Sequence, residues 1–172
     1  MTFVGHSIVG LSVAAGAVDA NRRPFFYSAA AIFVLFANFP DFAFRIIPYF
    51  ESHSLITVLV ILAAGNLLVW FFRSRIPGLD WKLILLGNLT VLSHFLLDTF
   101  YNHGTGLMLF WPVSAARSAL PVPWLSVMQP PFFPVTEAHL KVFLMELVTF
   151  GPLLVLVILG KMIGKRRKES AE

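Results

Sequence analysis

The sequence contains no cysteine, which excludes a disulfide, a thiolate metal site and a thiol nucleophile, so any metal must be held by nitrogen and oxygen. Charge is scarce as well. Of the 172 residues 13% are Asp, Glu, Lys or Arg and 58% are hydrophobic, where soluble domains carry about 45–50% apolar residues. That ratio argues against a water-soluble fold. The formal net charge of +4 does not point to nucleic acid, because the basic residues sit in short loops and one tail rather than along a groove-sized face. The small-residue stretch Ala15-Gly16-Ala17 has no basic segment before it, and His6 interrupts the apolar run, so no cleaved signal peptide is expected. Neither an internal repeat nor a second domain is visible.

What is present is a series of long apolar runs. A hydrocarbon core about 30 Å thick needs about 20 apolar residues at 1.5 Å per residue. Five segments meet or approach that length, at about 2–19, 24–38, 53–72, 81–101 and 138–160, the second being short. Their continuous apolarity favours helices over barrel strands, which alternate every second residue. Pro24 suits a first helical turn and Pro40 an end. The expected fold is therefore all-α: a polytopic helix bundle of about five transmembrane helices, a single membrane-embedded domain over 1–168, with a basic cytoplasmic tail at 165–172.

Basic residues set the expected orientation. With the carboxyl terminus in the cytoplasm, Arg22, Arg23, Arg73, Arg75, Lys82, Lys161, Lys165, Arg166, Arg167 and Lys168 fall inside, and Arg45, Arg117 and Lys141 outside. This asymmetry predicts an amino terminus on the extracytoplasmic side of an inner membrane. The outer segment at 102–137 is rich in glycine and proline (Gly104, Gly106, Pro112, Pro121, Pro123, Pro130, Pro131 and Pro134) among Trp111, Trp124, Phe132 and Phe133. It reads as an irregular interfacial stretch, either a packed cap over the helix ends or a lid in contact with lipid.

Ionisable groups at membrane depth are costly and mark functional positions. His6 lies near the outer start of helix one, Asp41 follows the outer end of helix two, His53 opens helix three, and His94 and Asp98 approach the outer end of helix four. These groups share one layer. His94 and Asp98 are spaced i, i+4 and so lie on one helical face about a turn apart. A histidine bonded to a carboxylate one turn away is also a common structural pair, and Asp41 could pair with Arg45 at the same spacing. Two desolvated carboxylates beside imidazoles nevertheless call for a cation. Imidazole plus carboxylate suits zinc, with manganese or iron as alternatives.

The remaining polar residues stay open. His103 is a further ligand, a substrate contact or a solvated loop histidine. Glu51 is a base, a ligand to a second metal or a solvated carboxylate. His139 and Glu146 share a face of helix five, where Glu146 is expected to bond Asn66 or Asn88. Gly10 and Ala14 form a small-xxx-small pair suited to a close helix contact.

Taken in order, His6, Pro40-Asp41, Ser52-His53-Ser54, His94-Phe95-Leu96-Leu97-Asp98, Gly104 and Trp111-Pro112-Val113-Ser114 resemble the predicted membrane-bound metal-dependent hydrolases, the family that includes a LexA-regulated bacterial inner-membrane protein. The similarity spans roughly residues 1–115. It implies that His6, Asp41, His53, His94 and Asp98 are the metal ligands. A looser similarity is to zinc-dependent phospholipases C. Three positions depart from the family pattern. Ala43 stands where a second aspartate is expected, which removes a potential ligand; Ser52 replaces a threonine; and Tyr49, Phe50 and Glu51 occupy the stretch where a basic residue is expected.

The expected activity is hydrolysis at the extracytoplasmic face. A zinc-like ion lowers the pKa of its water, and Asp98, Asp41 or Glu51 takes the proton. The accessible substrates are esters or phosphoesters of lipids or envelope precursors, with membrane lipid as the surrounding partner. The alternatives are a non-enzymatic membrane protein that binds metal or haem through His6, His53 and His94, and a scaffold whose polar layer only specifies helix packing.

Overall fold

The computed structural model describes residues 3–19, 21, 23–46, 53–72, 75, 80–102, 106–119, 124–127 and 133–170, the side chains at 43–46 and 168 excepted. Among the described residues six helices follow one another: α1 (Phe3–Ala17), α2 (Arg23–Ala37), α3 (Phe39–Ile46), α4 (Leu55–Phe72), α5 (Trp81–Asp98) and α6 (Glu137–Glu169). Among the described residues there is no extended strand, only isolated bridges. The helical class expected from composition is what the chain adopts.

Two helices are long and apolar enough by themselves to cross a membrane, α4 with 18 residues and the 31-residue stretch Glu137–Arg167 of α6. Both leave large apolar side chains uncovered, among them Leu67, Leu68 and Phe71 on α4 and Val148, Val155 and Leu156 on α6. Such surfaces belong against lipid chains. α1 and α2 are apolar but have only 15 residues each, about 22 Å of helix. α5 has 18 residues but carries Lys82, Asn88, His94 and Asp98.

Local chemistry explains where the helices depart from their expected bounds. α3 was not expected. Pro40 does end α2, but it also stands in the first turn of a new short helix, where its missing N–H costs nothing. α4 starts two residues later than expected because Ser54 is its N-cap, its Oγ accepting from Thr57 N at 3.3 Å. α5 begins after Asp80, whose carboxylate accepts from Leu83 N at 2.8 Å. It stops at Asp98, three residues short of expectation, because Tyr101 leaves the helix to bridge Leu125. α6 runs nine residues past the expected end at 160 and takes in most of the basic tail.

The chain divides into two compact units. Residues 36–127 hold α3, α4, α5 and the irregular segment after α5. Val58, Val91 and Phe95 form its buried cluster, with Phe39, Leu62, Leu92 and Leu109 packed against it. Asn88 Nδ2 donates to Asn66 Oδ1 at 3.2 Å and ties α5 to α4, a polar cross-link of the kind that joins membrane helices. The irregular segment is built rather than loose. Leu107 and Ser118 exchange backbone hydrogen bonds at 2.9 and 2.8 Å, and Arg117 donates to the Gly106 carbonyl. Gly106 has a positive φ of 87°, and a Cβ there would stand 2.4 Å from Ser118 O.

Residues 2–35 and 128–172 form the other unit. Here α1 and α6 run parallel. Gly5 N in the first turn of α1 donates to Glu146 Oε2 of α6 at 3.0 Å, and Lys161 Nζ of α6 donates to the Ala15 and Val18 carbonyls at the end of α1. Each contact meets a helix terminus with the charge that its dipole favours, a carboxylate at the start of α1 and an ammonium at its end. Gly10 of α1 meets α2 backbone to backbone, as the small-residue pair predicted: an added Cβ would lie 2.6 Å from Phe33 O. Gly10→Val is therefore expected to lower stability by about 1–3 kcal/mol. Gly65→Ala, where nothing lies within 4 Å, is expected to be neutral or stabilising. Thermal unfolding of the two variants in detergent checks both.

Candidate metal centre

One face of α5 carries the centre. Gly87, Thr90, Val91, His94 and Asp98 recur every three or four residues and are all buried, so the helix turns a continuous stripe inward. Gly87 lets Phe36 at the end of α2 come close; a Cβ there would stand 2.9 Å from its ring. The neighbouring Ala37 carbonyl then reaches His94 Nδ1 at 2.8 Å. A carbonyl only accepts, so Nδ1 carries the proton and a neutral His94 directs a lone pair outward from Nε2.

That Nε2 faces carboxylates. It lies 3.2 Å from Asp98 Oδ2 and 3.6 Å from Asp41 Oδ1. His53 Nε2 lies 3.2 Å from the same Asp41 oxygen and 3.5 Å from the same Asp98 oxygen. The imidazole rings are 5.4 Å apart. Two nitrogens and two oxygens therefore alternate around one point. Ligand atoms about 2.0–2.2 Å from a tetrahedral zinc are themselves about 3.3–3.6 Å apart, and the four observed separations fall at or just below that span. All four side chains are buried, His53 at 8% exposure being the most open.

The charges ask for a cation at that point. Burial opposes ionisation of Asp41, but hydrogen bonding to His53 and His94 and their positive charge outweigh it, holding its carboxyl below the usual carboxylate range. The Asp41 and Asp98 carboxylates and the two imidazoles thus bring four potential ligand atoms to one point. Asp41 Oδ2 is buried and has no hydrogen-bond partner among the described residues. The donor set fits a divalent ion of the zinc class, and the Ala37 carbonyl is the outer partner that fixes the His94 tautomer, as metal-bound histidines require. Among the described residues, Asp41, His53 and His94 qualify as a group that could hold a metal ion.

Within residues 36–127 the structure thus brings together the expected ligands Asp41 from α3, His53 from the turn before α4, and His94 and Asp98 from α5. His6 is buried at 2% exposure on α1, in the other unit. Glu51, His103 and the side chain of Arg45, with the Asp41–Arg45 pair, lie outside the described residues. Glu146 accepts from Gly5 N in the first turn of α1, while Asn66 and Asn88, its expected partners, bond each other. His139 caps α6: its Nδ1 accepts from Thr136 N at 3.1 Å while its own N–H meets Thr136 Oγ1 at 3.4 Å, a reciprocal cap.

Two features escaped the sequence. The Ala37 carbonyl is backbone and leaves no side-chain signature. Ser54 reads as part of a motif around His53, yet its Oγ donates to the Trp111 carbonyl, and Leu55 N donates to Leu109 O at 2.8 Å. These bonds latch the 109–111 turn beside His53. The spacing of a serine after His53 and of Trp111-Pro112 was the available signal.

A sequence model of the family described as YdjM inner membrane protein matches residues 1–167. No curated protein and no solved structure matches the chain.

Elemental analysis of purified protein is expected to find about one zinc-class ion per chain, the capacity of one tetrahedral set. His94→Ala and Asp98→Ala should each lower that occupancy while circular dichroism stays helical. If both variants keep the metal, the centre lies elsewhere; if both unfold without having held any, the polar layer only specifies packing.

Proposed function

The chain belongs to the YdjM inner membrane protein family, and from that premise and the four-atom cluster we propose that it is a membrane-bound metal-dependent hydrolase of an ester or phosphoester in a lipid or envelope substrate. The observation that carries the proposal is the alternation of His53 and His94 Nε2 with Asp41 Oδ1 and Asp98 Oδ2 at 3.2–3.6 Å. His53, His94, Asp41 and Asp98 would hold the ion, and the sequence pattern adds His6. When bound, a divalent ion supplies Lewis acidity toward water and toward the ester or phosphoryl oxygen under attack.

The chain's own residues do the rest. Ala37 holds His94 in the Nδ1–H tautomer, so the ring offers its lone pair without a rearrangement. Asp41 presents two oxygens with different tasks. Oδ1 faces the imidazoles, and Oδ2, with no partner among the described residues, is the acceptor available to take a proton from water. Ser54 holds the Trp111 turn in place beside His53, the most open of the four side chains, so substrate approaches from that side. Phe110, Val113 and Trp124 on the same segment are exposed and suit contact with the interfacial layer of a bilayer.

We read five crossings with the amino terminus outside. Parallel helices start on the same side of the bilayer, so the chain between α1 and α6 must cross an odd number of times, and α2, α4 and α5 supply three. Basic loops then put the cluster on the extracytoplasmic side. Haem between His53 and His94 is disfavoured by geometry. The rings are 5.4 Å apart with both Nε2 atoms turned to the same carboxylates, which leaves no slot for a porphyrin between them.

Hydrolysis of a chromogenic phosphodiester by zinc-loaded protein tests the proposal. Asp41→Asn, which keeps one potential oxygen ligand and removes the base, is expected to lower kcat by about 10²–10⁴-fold. Chelation should abolish turnover and zinc restore it, and His6→Ala should lower zinc content if His6 is a ligand. A Soret band in the purified protein, or turnover indifferent to chelation, would overturn the hydrolase reading.

A further inference from the structure

The last turns of α6 carry a lipid-shaped stripe. α6 has 33 residues, about 50 Å of helix, against a hydrocarbon core of about 30 Å. The helix is thus longer than the core is thick, and its basic end reaches the headgroup layer. Along one face, at spacings of three and four, run Leu156, Leu159, Ile163, Arg166, Arg167 and Ser170. The first three are exposed apolar side chains, and both arginines are exposed one turn further on. Ile163, Arg166, Arg167 and Ser170 together line a single hollow.

The chemistry of the neighbouring cations separates this face from the rest of the basic tail. Lys161 is spent on the Ala15 and Val18 carbonyls at the end of α1. Lys165 lies roughly opposite the stripe at about 100° per residue and pairs with Glu169 at 3.8 Å. Among the described residues neither Arg166 nor Arg167 has an ion-pair partner. Two arginines bordering one hollow suit a phosphate, which guanidinium groups bind through paired N–H donors. A phosphate at that height, directly beyond an apolar stripe, is the headgroup of a phospholipid whose chains lie along Leu156 and Leu159.

We propose that this face of α6 is a binding site for an anionic phospholipid: Arg166 and Arg167 hold its phosphate, Ser170 borders its headgroup and Ile163 with the leucines above contacts its chains. The site is separate from the metal centre and stands or falls independently of hydrolysis. It differs from a diffuse positive tail in being confined to one face.

Native mass spectrometry of the full chain released from nanodiscs of mixed phosphatidylglycerol and phosphatidylcholine reads the site directly. Retained phosphatidylglycerol is expected in the wild type, weakened about fivefold by Arg166→Gln or by Arg167→Gln, since one cation near a membrane surface contributes about 1 kcal/mol. Lys165→Gln removes the same charge from the opposite face and is expected to leave retention unchanged. All three positions are exposed at the end of one helix, so the variants fold alike. Equal loss with Lys165→Gln would show diffuse attraction and overturn the site. Retention of phosphatidylcholine as strong as that of phosphatidylglycerol, or displacement of the lipid by millimolar inorganic phosphate, would overturn it as well.

Discussion

His94 cannot turn its Nδ1 proton away from the Ala37 carbonyl without leaving a buried acceptor unmet, and much of the first unit follows from that bond. It fixes the ring, and the ring's other nitrogen is thereby committed to the point where Asp41, Asp98 and His53 converge. Two carboxylates removed from water repel each other and lose hydration worth several kcal/mol apiece. They persist side by side only where positive charge is supplied, by imidazolium or by a bound cation. The separations among the four atoms are close to those a tetrahedral ion imposes, so the cluster could hold one.

Support for this point comes from segments that look unrelated in sequence. Gly87 has no side chain, so Phe36 can close on α5 and bring Ala37 to His94. Pro40 turns the chain from α2 into α3, which carries Asp41. Ser54 caps α4 and at the same time holds the Trp111 turn against the residue next to His53. Leu109, from that turn, packs on Val58, Val91 and Phe95. A cluster of side chains built on helix faces and backed by packed neighbours loses little geometry to thermal motion.

In the second unit the membrane acts as solvent. A helix in hydrocarbon has unsatisfied N–H groups at its start and carbonyls at its end, and no water to meet them. Glu146 and Lys161 of α6 meet both ends of α1. Charge is thus used at the termini of α1, where the macrodipole favours it. His139, which shares a face with Glu146, serves the start of α6 itself through Thr136. Neither residue needs a chemical role to explain its burial.

The sequence by itself determined the helical class, the membrane as solvent and four residues that converge in the structure. Absent cysteine, long apolar runs and the i, i+4 pair His94–Asp98 are local facts, and helix periodicity turns them into faces without knowledge of anything distant. Helix ends were legible only where the signal was a side chain read singly, and Pro40 misled because the same residue can close one helix and open the next. Tertiary structure alone decided the partners. That Glu146 meets Gly5, that Ala37 orients His94, and that Lys161 closes α1 rather than standing as one more basic residue of the tail are contacts between residues far apart in the chain. All three run through backbone atoms, so no residue type announces them. Only the path of the chain brings those atoms within bonding distance.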